Sequence, residues 1–321
     1  VNHMTMINRP PSDLNSLEDY HDWLELLFIH EYIHILQLDM ATATPGVLRK
    51  IFGRFPLLFP HLFQPNWALE GLATHFETDL ERGIGRGQGA LYRGIMALEV
   101  KHGLLPLSQM NGITSEWPAG ATHYLYGVYF YQFLIEKFGE EKVIAWLKQY
   151  SRQLFPFLVN TNLKRVFGQD MASLYQEFES YLQQRFANDI SVHHEQQSPS
   201  VAITHSGYQS GYAQLMENGD LYFISDSQYR QSQLKRLPHD STESVVVSEI
   251  YGNQFDANPD LGILMTQYEV SDNSNIFNEI YLISPGEHSA KAITQQGRYQ
   301  YAIWDKNKQQ ILAIHYQLGR I

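Results

Sequence analysis

Apolar positions recur every three or four residues over the first 190 or so positions and alternate over the rest. The first pattern predicts helices and the second predicts strands. "SLEDYHDWLELLFIHEYIHILQLD" predicts one amphipathic helix, with Ser16 and Asp19 forming a capping box at its start. "PNWALEGLATHFETDLERG" predicts another. "THYLYGVYFYQFLIEKFGEEKVIAWLKQYS" predicts an aromatic-rich helix, a break at Gly139 and a further helix. "GQDMASLYQEFESYLQQRF" closes the series, with Asp170 placed to cap it. The glycine-rich "GIGRGQG" neither follows an apolar strand nor contains G-K-[ST], so it reads as a loop rather than a phosphate cradle.

Residues 191–200 are polar and non-periodic and read as a linker. Beyond them "GDLYFIS", "ESVVVSEI", "LGILMTQYEV", "NEIYLISP" and "QQILAIHYQ" are β-branched or alternating runs separated by Asn, Asp, Gly and Pro. Turn-then-strand units recur at roughly 40 to 50 residues, the blade period of a β-propeller. About two and a half blades fit, and closure needs about four. A small β-sandwich is the alternative. The expected organisation is therefore multidomain: a mainly α-helical domain over 1–190, a linker over 191–200 and an all-β, partial β-propeller over 201–321.

Composition narrows the function classes. A net charge of −11 disfavours nucleic acid as a partner. No run of like charges points to a membrane-surface patch. The most apolar stretch, "FPLLFPHLF", is short and carries Pro56 and Pro60, so no transmembrane segment is expected. There is no cysteine, and any metal must be held by His, Asp or Glu. The chain opens without an initiator methionine and its blades are too few, which leads us to expect a piece of a longer polypeptide.

The chemistry concentrates in "LLFIHEYIHILQLD". His30 and His34 are four residues apart and project from one helix face, a separation that suits two imidazoles converging on one zinc ion. Glu31 lies about 100° round the helix from His30, beside a metal rather than on it, where it can act as a general base. The plainer reading is a pair of core histidines satisfied by hydrogen bonds. Trp23, Leu24, Leu27, Ile35 and Leu38 frame these residues, so the helix is expected to be buried, and unpartnered imidazoles would be costly there.

"WALEGLATHFE", with Glu70 in an E-G-x-A context 36 residues after His34, completes the pattern. Together the two motifs resemble the gluzincin (peptidase MA-like) metallopeptidases, the clan of thermolysin-like and aminopeptidase N-like enzymes. The resemblance covers roughly residues 1–190. It implies His30, His34 and Glu70 as ligands of one Zn2+ and Glu31 as general base. It also implies an oxyanion-stabilising tyrosine three residues before a glycine, which is Tyr124 ahead of Gly127, with Tyr126 as a rival. Glu77, one heptad after Glu70, could accept a hydrogen bond from a ligand histidine's other nitrogen. His75 and His123 are further candidates for the cleft. "HSAKAITQQGRYQYAIWD" resembles TolB-type propeller blades, which tilts the expected location towards a bacterial periplasm.

The resemblance implies peptide hydrolysis. Aminopeptidases of the clan carry a G-x-M-E-N motif ahead of the zinc helix. The corresponding "VNHMTMINRPP" has Met4 and Met6 but no glutamate, which favours an endopeptidase, and this segment could form an edge strand for substrate pairing. The substrate is then a peptide or protein, and the propeller is a candidate platform for a protein partner. The rival readings are a non-peptidase zinc hydrolase and a catalytically inactive protein in which the propeller acts as a binding scaffold.

Overall fold

The computed structural model describes residues 4–7, 20–112, 117–195 (side chains to 191), 201–205, 210–227, 229–252, 254–270, 276–305, 307 and 309–316. The chain divides into two compact units, residues 1–198 and 199–321. The first is helical and the second is built of antiparallel sheets.

The helical unit contains eight α-helices among the described residues: α1 (Trp23–Asp39), α2 (Ala43–Phe52), α3 (Asn66–Phe76), α4 (Ala90–His102), α5 (Thr122–Phe138), α6 (Glu140–Tyr150), α7 (Val159–Phe167) and α8 (Met171–Glu195). The expected Ser16–Asp19 capping box lies outside the described residues. Helix α1 starts instead at Trp23, where Asp22 accepts from the Leu24 and Glu25 amides. Asp170 caps α8 by accepting from the Ser173 amide at 3.0 Å. That helix runs on through Glu195, into the stretch expected to be linker, because no Gly or Pro interrupts residues 171–195.

Helix α5 is apolar almost all round and therefore central. Trp67 of α3 stacks on Trp146 of α6 with centroids 6.0 Å apart and meets Phe130 of α5 edge-on. The Tyr131 hydroxyl donates to the Ala68 carbonyl at 2.8 Å, which satisfies a fully buried phenol. The crossing of α3 and α5 is tight enough to need glycine on both sides: a Cβ on Gly71 would fall 2.5 Å from Gly127 Cα, and one on Gly127 would fall 2.5 Å from the Trp67 carbonyl.

Helix α1 is only half buried, contrary to the expectation from its apolar frame. Trp23 and Leu26 are covered, whereas Leu24, Phe28, Tyr32 and Leu36, spaced four apart, form an exposed stripe. Of the segment from Val1 to Pro11 that could form an edge strand only Met4–Ile7 are described, and these form no strand; the Ile7 carbonyl accepts from the Trp23 indole at 2.7 Å. No helix among the described residues is long and apolar enough to cross a membrane.

The second unit contains two four-stranded antiparallel meanders and a hairpin. The first meander is β1 (Ser210–Leu215), β2 (Leu221–Ser225), β3 (Gln233–Leu237) and β4 (Val245–Glu249). The second is β5 (Gln254–Asn258), β6 (Gly262–Val270), β7 (Ile276–Ile283) and β8 (Lys291–Ala292). The hairpin is β9 (Tyr299–Asp305) and β10 (Gln310–His315). The leading strands are tied side by side. Gln214 of β1 exchanges two hydrogen bonds with the Ala257 backbone, and Asp256 of β5 accepts from Gln214 and from the Trp304 amide of β9. Among the described residues these sheets close into neither a barrel nor a propeller.

Candidate metal centre

His30 and His34 lie one turn apart on α1, and Glu70 lies mid-way along α3, which packs between α1 and α5. Three atoms converge: His30 Nε2 and His34 Nε2 are 3.2 Å apart, and Glu70 Oε2 lies 3.3 Å from the first and 3.2 Å from the second. A tetrahedral ion with ligands at about 2.0–2.1 Å separates those ligands by about 3.3–3.4 Å. The near-equilateral triangle matches that edge, so this donor set fits a tetrahedrally held metal ion. The side chains of His30, His34 and Glu70 are 9%, 16% and 24% exposed, so the cluster is reachable from solvent on its Glu70 side.

The electrostatics agree with a cation site. Burial pushes the Glu70 carboxyl up, but hydrogen bonds from His30 and His34 overcome it and hold the group well below the usual carboxylate range. Burial pushes His30 down, and its bonds to Glu70 and Glu77 more than reverse this.

Glu77 follows the last residue of α3 and is fully buried. Its Oε2 lies 2.8 Å from His30 Nδ1, so that in the tautomer donating Nδ1–H to Glu77 the Nε2 lone pair faces the triangle. Sequence reasoning missed the residue that holds Glu77. Arg86 donates through Nε at 2.5 Å and through Nη2 at 2.8 Å to its two carboxylate oxygens. Burial pushes Glu77 up, and Arg86 and then His30 pull it below its ordinary value. Arg86 comes from "GIGRGQG", the loop with no assigned role. Asp79 and Ile84 pair across it, Gly87 donates to Thr78 Oγ1 at 3.0 Å, and Gly85 sits at φ +93°, where a Cβ would strike the Glu77 carbonyl at 2.5 Å. The glycines therefore let the loop lie flat enough for Arg86 to reach a buried carboxylate. The available signal was one arginine set between glycines, nine residues after Glu77.

The two rival tyrosines separate cleanly. Tyr126 is fully buried, donates to Glu99 at 2.5 Å and accepts from the Leu105 amide, so its hydroxyl is committed elsewhere. The Tyr124 ring lies 6.2 Å from that of His30, with the Arg86 guanidinium 4.7 Å above its face. Burial and the nearby Glu70 carboxylate push its phenol up to about 12, so it remains a hydrogen-bond donor at neutral pH. His123 packs on Tyr124 at 4.4 Å, with a buried Nδ1 that has no hydrogen-bond partner among the described residues, and burial pushes its pKa down. His75 packs instead on Phe76, within the field of Glu140. Glu31 is half-buried, one residue on from His30, with no hydrogen-bond or ion-pair partner among the described residues.

Compared with protein-family models, with curated proteins and with solved structures, the chain matches none.

Proposed function

We propose that this chain is a zinc-dependent peptidase of gluzincin type that cuts within peptides. The observation that carries the reading is the triangle of His30 Nε2, His34 Nε2 and Glu70 Oε2 at the edge length of a zinc tetrahedron, with Glu31 on the adjoining helix position. Two nitrogens and one carboxylate leave a fourth position open, as a catalytic rather than a structural site requires. Zinc, when bound, supplies a Lewis acid that makes water a nucleophile near neutral pH and polarises a carbonyl.

The chain's own residues do the rest. Glu31, with no partner among the described residues, takes a proton from the attacking water and delivers it to the departing amine. Tyr124 donates its hydroxyl hydrogen to the oxygen on which charge develops. Glu77 and Arg86 hold His30 in one tautomer and orientation. No glutamate lies near Met4 and Met6 to anchor a free amino terminus, which supports internal cleavage.

The sheets of the second unit read as two propeller blades and part of a third. Their leading strands begin at Ser210, Gln254 and Tyr299, an interval of about 45 residues, and lie side by side as inner strands of neighbouring blades do. Such a platform suits a protein partner or a substrate chain.

The test is digestion of a mixed peptide library read by mass spectrometry, with and without a chelator. Internal cuts lost on chelation and restored by zinc are expected. Cuts restricted to amino-terminal residues would make it an aminopeptidase, and no cleavage by zinc-loaded protein would sink the peptidase reading. Tyr124→Phe should lower kcat by about 10²- to 10³-fold, with KM and zinc content unchanged. An equal fall in zinc content would assign Tyr124 to site assembly instead.

A further inference from the structure

The motif "FPLLFPHLF" has no part in the metal centre, and its setting gives it a different task. Two segments about 100 residues apart in sequence meet around it: α2 with the turns that follow, and the turn between α6 and α7. The Thr42 amide donates to the Ser151 carbonyl at 3.0 Å, and Phe63 and Phe157 touch edge-on at 5.8 Å. Where they meet, Phe52, Phe55, Leu57, Leu154 and Phe155 line a shallow apolar groove of about 630 Å³. Phe52 and Phe155 are 72% and 73% exposed, far beyond what a lone surface hydrophobe implies.

Charge says what covers this face. The chain as a whole is at −11, yet residues 40–69 and 142–169 contain no Asp or Glu. They carry Arg49, Lys50, Arg54, Lys148 and Arg152 around the groove's elements. Asp39, just outside, is held between Arg49 and Arg54. Lys50, Lys148 and Arg152 are exposed and have no acidic partner among the described residues. An exposed apolar face whose own elements carry exposed cations and no carboxylate is the pattern of a segment lying in the interface of an anionic bilayer, with rings in the acyl boundary and cations among the headgroups. It is also a poor surface for self-association, since an isologous contact would bring two sets of like charges together.

We propose that this face docks the helical unit on an anionic lipid bilayer, with Phe52, Phe55 and Phe155 inserted and Lys50, Lys148 and Arg152 at the headgroups. The proposal is independent of the peptidase reading. The test is co-sedimentation of the full chain with phosphatidylcholine vesicles containing about a third phosphatidylglycerol, beside pure phosphatidylcholine vesicles. Partitioning on the anionic vesicles should be at least about tenfold stronger and should weaken with salt. Phe52→Ser/Phe155→Ser should lower it about tenfold or more without changing the melting temperature, because both rings are already in water. Lys50→Gln/Arg152→Gln should lower it by roughly 25-fold, at about fivefold per charge. Absence of sedimentation with anionic vesicles overturns the proposal, as does binding that neither double variant alters. A dimer that forms in place of vesicle binding and is lost in Phe52→Ser/Phe155→Ser would assign the face to a second copy.

Discussion

For a zinc peptidase of the proposed kind, replacing Glu31 with glutamine is expected to leave one zinc per chain and to lower peptide turnover by about 10²- to 10⁴-fold. The two side chains have the same shape and differ in one respect that matters: an amide cannot accept the proton of an attacking water. Glu31 is not among the three converging donors, so metal content, measured by elemental analysis, should not move. Glu70→Gln is the contrasting change, because it removes the anionic ligand, and it should lose metal and activity together. Were Glu31→Gln to retain hydrolysis, the proposed base would be wrong even if zinc were bound. Were it to lose zinc, Glu31 would belong to the assembly of the site.

Arg86→Met is expected to destabilise the helical unit by about 3–5 kcal/mol. The change strips a buried carboxylate of its bidentate partner while leaving the carboxylate in place. In a unit of this size that lowers Tm by roughly 10 °C or more. The pH dependence follows from the direction of the Glu77 shift. Arg86 and His30 hold its folded pKa below the ordinary 4.5, so the stabilisation is present above that value and lost as pH falls through the folded pKa. The penalty of Arg86→Met is therefore full at neutral pH and shrinks on acidification, as the unpartnered Glu77 takes up a proton. Adding Glu77→Leu should recover much of the stability, since no charge is then left buried alone. Zinc affinity should fall about 10- to 100-fold in this double variant, because His30 has then lost its acceptor. Thermal melts of the two variants across pH, with a zinc titration, separate these effects. A neutral Arg86→Met would show that Glu77 is held by other means.

The helical half was legible where function depends on local spacing. Four residues bring His30 and His34 to one face of any α-helix, and the alternation in "LGILMTQYEV" and "NEIYLISP" identified strands that pair in register across β6 and β7. Helices α2, α4 and α7 escaped notice because Pro45, Gly46 and Gly94 dilute the apolar period or, in α7, because only nine residues carry it. Strands β1, β3, β5 and β8 are short and rich in polar residues, and their place is decided by neighbours in the sheet rather than by their own pattern.

By itself the sequence determined the change from helix to strand near residue 200, the two-histidine face with its adjoining glutamate, and the candidates Glu70, Glu77 and Tyr124. The first two rest on periodicity or spacing along the chain, which backbone geometry converts directly into direction, whereas Glu70 and Tyr124 were implied by the resemblance to the gluzincins, and Glu77 by its heptad spacing from Glu70. Tertiary structure alone decided that Glu70 reaches the histidines at 3.2–3.3 Å and that Tyr124 faces His30 while Tyr126 is tied to Glu99. It also decided that Arg86 clamps Glu77 and that apolar residues from two distant segments line one exposed groove. These outcomes depend on how closely helices approach, as where Gly71 meets Gly127, and on which distant residues that packing brings together. Spacing along one chain does not encode such distances, because they are set by the side chains of both partners at each contact.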